Sequence, residues 1–331
     1  MNLLVTGGAG FVGANLIEHV IDHAEITRLV NLDCLTYAGN LDNLQAVTTH
    51  PKYSFERIDL RDRADVDRVV RQHAITHVMH LAAESHVDRS IAAPDDFVHT
   101  NVLGTFHLLE ACRENWQGNF DGRRFLHVST DEVYGSLGPT GAFTEQSSYA
   151  PSSPYSATKA AADMLVRAYH RTFGFPAMIS NSANNFGPYQ HREKLIPVII
   201  ASVIARRSIP LFGDGQQVRD WLYARDHAAA LWLVLNRGRL GETYNIGAHN
   251  EWPNRKLAEL ICDFVDEIAP ELGGNSRPLI AHVADRPGHD RRYAIDAHKI
   301  MRELGWKPEQ DFDEALRETV RWYLLHRERL G

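Results

Sequence analysis

Cysteine is scarce and dispersed in this chain of 331 residues: Cys34, Cys112 and Cys262 form no C-x-x-C pair, which argues against a disulfide framework or a cysteine-rich metal site. That usage fits a reducing compartment. No apolar run approaches the ~20 residues of a membrane-spanning helix. Met1 leads almost at once into a strand-like run and a glycine-rich turn, without the basic and apolar regions of a signal peptide, so a cytoplasmic protein without membrane contact is expected. Positive charge is the scarcer sign: a formal net charge of -7 with 23% charged residues provides no global field for nucleic acid and no disorder-like composition. Histidine is plentiful, but His19, His23, His73, His77, His80 and His86 make no ligand-spaced cluster and no H-E-x-x-H occurs, so no metal is expected.

What is present is the alternation of an α/β protein. Short β-branched runs at 3–6, 29–33, 53–60, 77–83, 125–130 and 177–181 are separated by helical patterns, the rhythm of repeated βαβ units. Parallel strands need crossover connections, so the expected fold is a Rossmann-type doubly wound parallel sheet, with its ligand crevice at the carboxyl ends of the strands. After about residue 190 the rhythm loosens into a helix from Glu193, a strand around Leu211, a helix after Asp226, a strand at 244–246, a helix at 255–268 and a terminal amphipathic helix from about Phe312. The expected division is a dinucleotide-binding domain at 1–190 and a smaller C-terminal α/β substrate-binding lobe at 191–331, with an approximate boundary and interleaving allowed.

The segment TGGAGFVG at 6–13 satisfies G-x-G-x-x-G directly between a strand and a helix. Gly7, Gly10 and Gly13 let the backbone approach a pyrophosphate, whose charge meets N–H groups and the positive end of the helix dipole. Asp33, twenty residues on, ends the second strand, where a carboxylate accepts from ribose hydroxyls and repels a 2′-phosphate. NAD is therefore the expected cofactor. Asp59 and Leu60, read as the end of the third strand, would hold the adenine edge.

Tyr155 and Lys159 form Y-x-x-x-K just inside a helix, on one face. An ammonium beside a phenol favours phenolate, which can take a hydroxyl proton as hydride leaves carbon. A surface tyrosine and lysine would share this spacing, but Ser129 and Thr130 close a strand just upstream and complete a Thr, Tyr, Lys arrangement. In this order, these features resemble the extended short-chain dehydrogenase/reductases. Asp131 and Glu132 follow at once. Eliminating water needs a base for a carbon-bound proton and an acid for a departing hydroxyl, and adjacent carboxyls can supply both.

Further blocks run nearly end to end: LTYAGN at 35–40, HLAAESHVDRS at 80–90, STDEVYG at 129–135, YAPSSPYS at 149–156, NNFGPY at 184–189, EKLIP at 193–197, RDWLY at 219–223 and DRPGHDRRY at 285–293. With them the chain resembles the dTDP-glucose 4,6-dehydratases. The resemblance implies that Tyr155 deprotonates the C4 hydroxyl as hydride passes to NAD+, assisted by Thr130 and Lys159. Glu132 then removes the C5 proton, Asp131 protonates the departing C6 hydroxyl, and hydride returns to C6. It further implies cofactor contacts at Phe11, Val12, Leu35, Thr36, Leu81, Ala82, Ala83, Thr100 and Asn185. Substrate contacts are implied at Ser85, Thr130, Asn184, Lys194, Leu195, Pro210, Leu211, Phe212, Arg219, Asn254, Asp285, Arg286, Pro287, Gly288 and His289. In the family, helices equivalent to 95–115 and 156–173 pair across a dimer, so a homodimer is expected.

Departures from the family pattern are Cys34 in place of a frequent lysine, Ser182-Ala183 in place of Cys-Ser, Phe186 in place of tyrosine, and a short stretch at 136–143. A UDP-glucose dehydratase, 4-epimerase or decarboxylase would use the same Thr130, Tyr155 and Lys159, although paired carboxyls exceed what epimerisation needs. A non-catalytic NAD sensor would keep the fold alone.

Overall fold

A computed structural model describes residues 1–285 and 287–331 of the chain. The first half runs β1 (Asn2–Thr6), α1 (Phe11–Val20), β2 (Arg28–Leu32), β3 (Tyr53–Glu56), α2 (Arg63–Gln72), β4 (His77–His80), α3 (Val87–Ala92), α4 (Pro94–Phe97), α5 (Thr105–Trp116), β5 (Arg124–Thr130), α6 (Pro154–Phe173) and β6 (Ala177–Ser182). The second half runs β7 (Asn184–Phe186), α7 (Leu195–Ile204), β8 (Ile209–Phe212), β9 (Val218–Tyr223), α8 (Ala224–Arg237), β10 (Thr243–Ile246), β11 (Glu251–Pro253), α9 (Asn254–Ile268), β12 (Ile280–Val283), α10 (His298–Leu304) and α11 (Phe312–Leu325).

Seven strands form one sheet in the order β10-β6-β5-β4-β1-β2-β3, every neighbouring pair parallel. Parallel sheets are covered on both faces, so their strands read as continuous apolar runs. β1 shows how: Leu3, Leu4 and Val5 are all fully buried. Side chains alternate across the sheet, so Leu3 and Val5 join the core built with Leu16 and Ile17 of α1 and Leu231 and Val234 of α8. Leu4 joins the opposite core with Val66 and Val69 of α2 and Leu108 of α5. The reversal of strand order lies between β1 and β4, which opens the crevice over their carboxyl ends.

A third core unites Ile196 and Ile199 of α7, Leu257 and Ile261 of α9, and Leu316 and Val320 of α11. It supports two small sheets, β11-β9-β7 and β12-β8. The chain does not cross from one lobe to the other once only: β10 returns to pair with β6 (Thr243 beside Ile179), and α8 packs beside α1 in the first core.

Two boundaries differ from the sequence reading. β3 stops at Glu56, so Asp59 and Leu60 lie in the turn beyond it rather than at a strand end. The helix expected at 95–115 is interrupted by a π-helical stretch, Val98–Gly104. There Gly104 lets the backbone run close to Leu60, to which an added Cβ would stand at 3.0 Å.

Candidate active site

The cleft at the carboxyl ends of the parallel strands begins with the turn after β1. Gly7 adopts φ +71°, and a Cβ there would lie 2.7 Å from the Ala82 nitrogen. At Gly13 it would lie 2.2 Å from the Gly7 carbonyl oxygen. Only bare backbone allows β1, the Leu81–Ala82 turn and α1 to approach this closely, leaving the first-turn N–H groups of α1 facing the cleft. Asp33 accepts from the Ala9 N–H at 3.0 Å and the Leu35 N–H at 2.8 Å. These bonds span the glycine turn and the loop after β2, so the carboxyl is held beside the cradle; burial nonetheless pushes its pKa up.

α6 starts where the sequence places a start signal. Pro154 occupies its first turn. Ser153 accepts from the Ser156 N–H at 3.1 Å while its own N–H donates to the Ser156 hydroxyl at 3.1 Å, a reciprocal cap worth ~1 kcal/mol. This fixed start sets Tyr155 and Lys159 on the cleft face, opposite Thr130 at the end of β5. The Thr130 hydroxyl lies near enough to Tyr155 to lower the phenol's pKa, donates to the Asp131 carboxyl at 3.4 Å and accepts the Glu132 N–H at 3.3 Å, capping the short 3-10 turn Asp131–Tyr134.

The two carboxyls differ in environment. Asp131 is 2% exposed, and burial, reinforced by the adjacent Glu132, holds its pKa well above the carboxylate range. Its Oδ2 has no partner among the described residues. Glu132 is only partly buried. Lys159, 3% exposed, donates to the Val128 carbonyl at 2.9 Å, and burial pushes its pKa down to about 8 against the pull of Asp163. The expected depression of Tyr155 by Lys159 is not found: burial and the Glu132 carboxylate push the phenol up, with the Thr130 hydroxyl opposing them. The ammonium is turned toward the sheet.

Residues from several loops close around the same cleft. It is lined by Gly7, Gly10, Phe11, Val12, Gly13, Asp33, Thr36, Leu81, Ala82, Ala83, Ser85, Thr100, Asn184, Asn185 and Lys194, as well as by Thr130, Asp131, Glu132, Tyr155 and Lys159. Thr100 is presented by the π-helical stretch, whose neighbour Asn101 accepts from the Glu84 N–H at 2.8 Å and donates to the Thr158 hydroxyl of α6 at 3.0 Å. The side-chain oxygens of Asn184 and Asn185 are buried without partners among the described residues. The glycine cradle and these oxygens fit a dinucleotide.

Sequence reasoning missed Tyr37, Glu84, Gln190 and His191 as lining groups. Arg89 stacks on the Tyr37 ring at 3.8 Å and pairs bidentately with Glu193 at 2.7 and 3.2 Å, while Lys194 donates to the Ser85 carbonyl at 3.0 Å. Tyr37 and Arg89 do fall within the motif blocks, but only the fold brings them together.

Other expected residues stand apart from the cleft lining. Asp59 is bound to Arg61 at 2.6 Å, and Leu60 is buried in a core; Leu35 packs against the other core with φ +57°. Leu195 packs on the third core. Along β8, Leu211 is buried while Pro210 and Phe212 are exposed. Phe212 meets the His289 ring edge-on at 6.2 Å, and His289 hydrogen-bonds Asp285 at 2.6 Å, beside the turn through Pro287 and Gly288. Arg286 lies outside the described residues. Arg219 donates to the Asp290 carbonyl at 3.0 Å and lies near enough to Asp131 to lower its pKa. Asn254 begins α9 with its side-chain oxygen buried and unpartnered.

The GDP-mannose 4,6 dehydratase family model matches residues 4–319. A dTDP-glucose 4,6-dehydratase of Neisseria gonorrhoeae is 52% identical, over 99% of this chain and 97% of its own; one from Escherichia coli K12 is 50% identical over 98% and 93%. Among solved structures, the dTDP-glucose 4,6-dehydratase DesIV of Streptomyces venezuelae, with NAD and TYD bound, superposes with a TM-score of 0.92 at 43% identity over 99% of this chain and 98% of its own. A Thermus thermophilus UDP-glucose 4-epimerase in complex with NAD does so at 0.85 and 29% identity, over 98% and 99%. The chain belongs to the dTDP-glucose 4,6-dehydratase family within the extended short-chain dehydrogenase/reductases.

Proposed function

We propose that this protein is an NAD-dependent hydro-lyase converting dTDP-glucose to dTDP-4-keto-6-deoxyglucose and water. The observation that carries the reading is a buried carboxyl whose pKa is raised by burial, Asp131, adjacent to a more accessible one, Glu132, beside the Thr130, Tyr155 and Lys159 groups. Bound NAD supplies a reversible hydride store, taking the C4 hydride and giving it back at C6, and as NAD+ brings a positive charge that favours phenolate.

Tyr155 takes the C4 hydroxyl proton, which yields a 4-ketone and acidifies C5. Glu132 takes the C5 proton; Asp131, the group kept protonated, gives its proton to the C6 hydroxyl, which leaves as water. Glu132 then returns its proton to C5. The balance leaves Tyr155 with one proton too many and Asp131 with one too few. Thr130, hydrogen-bonded to Asp131 and standing beside Tyr155 in the cleft, offers the return path: it would accept from Tyr155 and donate to Asp131, resetting the site without solvent.

A cytoplasmic homodimer completes the reading. Among the described residues no helix is long and apolar enough to cross a membrane. Exposed Val98, Leu103 and Phe106 on the π-helical stretch and α5, with Met164 and Phe173 on α6, provide apolar surface for a helix-to-helix pairing, which sedimentation equilibrium tests. The activity is tested by incubating the purified protein with dTDP-glucose and no added cofactor, then weighing the nucleotide sugar by mass spectrometry. Loss of one water without net NADH is expected. An isomer of unchanged mass would mean epimerisation, and turnover of UDP-glucose alone would reassign the base.

A further inference from the structure

Behind Lys159, on the side away from the cleft, lies an acid that the reaction does not use. Asp163, one turn further along α6, is fully buried. Its Oδ2 accepts from the Ser129 hydroxyl at 2.9 Å and the Tyr149 hydroxyl at 2.8 Å, and Arg167 donates to the Tyr149 oxygen at 3.0 Å. Its Oδ1 lies 3.3 Å from Nε2 of His127, and the same ring nitrogen lies 3.5 Å from the Lys159 ammonium. His127 is fully buried and its Nδ1 has no partner.

One nitrogen therefore stands between a cation and an acid. Burial and Lys159 push the ring's pKa down to about 4, so it carries a single proton at neutral pH. On Nε2 that proton lies in the field of the Asp163 carboxylate 3.3 Å away, although no hydrogen bond closes between them. On Nδ1 it would be buried without an acceptor, which is costly. The negative charge of Asp163 thus favours the tautomer protonated at Nε2, which leaves the ammonium without an acceptor in the ring and resting on the Val128 carbonyl at 2.9 Å. No carboxylate contacts Lys159 within salt-bridge distance among the described residues. A buried cation is costly without an opposite charge nearby, and Asp163 is the group whose charge favours the protonated form of Lys159.

We infer that Asp163 is a positioning residue for the hydride step: acting across His127, it anchors the Lys159 ammonium at the floor of the cleft and keeps it charged, thereby setting the pH window of the reaction. The inference rests on the roles given above to Tyr155 and Lys159. The titratable and charged groups facing the pair are Tyr155 on α6 itself, His127 on β5, His80 on β4, Tyr149 and Arg167 behind, and Asp131 and Glu132 at the end of β5. His80 and His127 are held neutral by burial.

The sign follows for Asp163→Asn. Removing the negative charge makes Lys159 lose its proton at lower pH, which brings the alkaline limb down. It also removes a repulsion that raises Tyr155, which brings the acid limb down. Both limbs of the kcat/KM profile should slide toward acid, by roughly one pH unit for an opposite charge at this range. A packing role would lower the profile without moving it.

The experiment measures kcat/KM for dTDP-glucose against pH for the wild-type holoenzyme, Asp163→Asn and Tyr149→Phe, with NAD content and circular dichroism as checks on folding. Tyr149→Phe removes a neutral donor and keeps the charge, so its limbs should stay in place. A folded, NAD-containing Asp163→Asn enzyme with unmoved limbs would overturn the proposal, as would an equal slide in Tyr149→Phe. If Asp163→Asn does not fold, His127→Gln decides. Loss of the ring that orders the pair should move the alkaline limb down, and an unmoved limb sinks the idea. Absence of turnover in the wild type would instead count against the assigned activity.

Discussion

At the scale of single residues, the site depends on groups kept in unusual protonation states. Asp131→Asn removes the acid that the departing hydroxyl needs, so kcat should fall by ~100-fold or more; mass spectrometry should show no loss of water, while NADH absorbance rises together with enzyme-bound 4-keto-glucose nucleotide. The same change should stabilise the fold. A carboxyl whose folded pKa is raised holds its proton in the native state while the unfolded chain releases it, so its presence costs stability as pH climbs past its ordinary value of 3.8. The Tm advantage of Asp131→Asn over wild type should therefore be absent below that pH and grow above it; a constant difference would contradict the raised pKa. Thr130→Val separates activation from resetting. With the return path cut, the first turnover should outrun later ones, giving a burst in rapid-quench measurements that Thr130→Ser abolishes. Equal slowing of all turnovers would remove the resetting role.

Among elements, α1 and α6 do their work through their starts. Gly13→Val would set side-chain atoms against the Gly7 carbonyl and the Gly8 backbone, where even a Cβ stands at 2.2 and 2.6 Å. The purified variant should carry little NAD, as acid extraction of the cofactor would show. Ser153→Ala removes the side chain that caps the helix bearing Tyr155 and Lys159. A loss of ~1 kcal/mol is expected, seen as a lower Tm, with an additional fall in kcat if the first turn frays. The β5 end is governed by the same economy of capping: one hydroxyl, Thr130, ends the strand, starts the 3-10 turn, bonds Asp131 and lines the cleft beside Tyr155. Strand β3 shows the limit of reading elements from composition. Its apolar run invites extension to residue 60, but pairing with β2 ends at Glu56.

For the molecule as a whole, the contact of Arg89 with Tyr37 and Glu193 joins the loop after β2, helix α3 and the segment leading into α7 across the cleft. The pair is substantially exposed, 44% for Arg89 and 35% for Glu193, so it contributes no more than ~1 kcal/mol. A cycle that regenerates its cofactor benefits from retaining it. Arg89→Ala should speed NAD loss during dialysis by up to about fivefold, the equivalent of ~1 kcal/mol, with little effect on the first turnover. The lobes are tied more firmly by β10, which carries a late stretch of chain into the large sheet beside β6.

The sequence by itself determined what depends on short spacing: the glycine turn, the acidic residue after β2, Tyr155 and Lys159 one helical turn apart, and the Thr130-Asp131-Glu132 run at a strand end. Such patterns specify backbone geometry locally, and long family blocks carried the reaction class. Tertiary structure decided what depends on burial and on long-range contact. Nothing in the order of residues tells Asp131 from Glu132; burial of one does. Leu211 and Phe212 are neighbours in the chain, yet strand alternation sends one into the core and leaves the other exposed. The expected lowering of the Tyr155 pKa by Lys159 gave way to the opposite direction because burial and the Glu132 carboxylate raise it, while the ammonium rests on the Val128 carbonyl. Asp163 is legible as a residue four places after Lys159, but its link to that lysine runs through His127, thirty-six positions away in the sequence and joined to it only by the packing of α6 against the sheet.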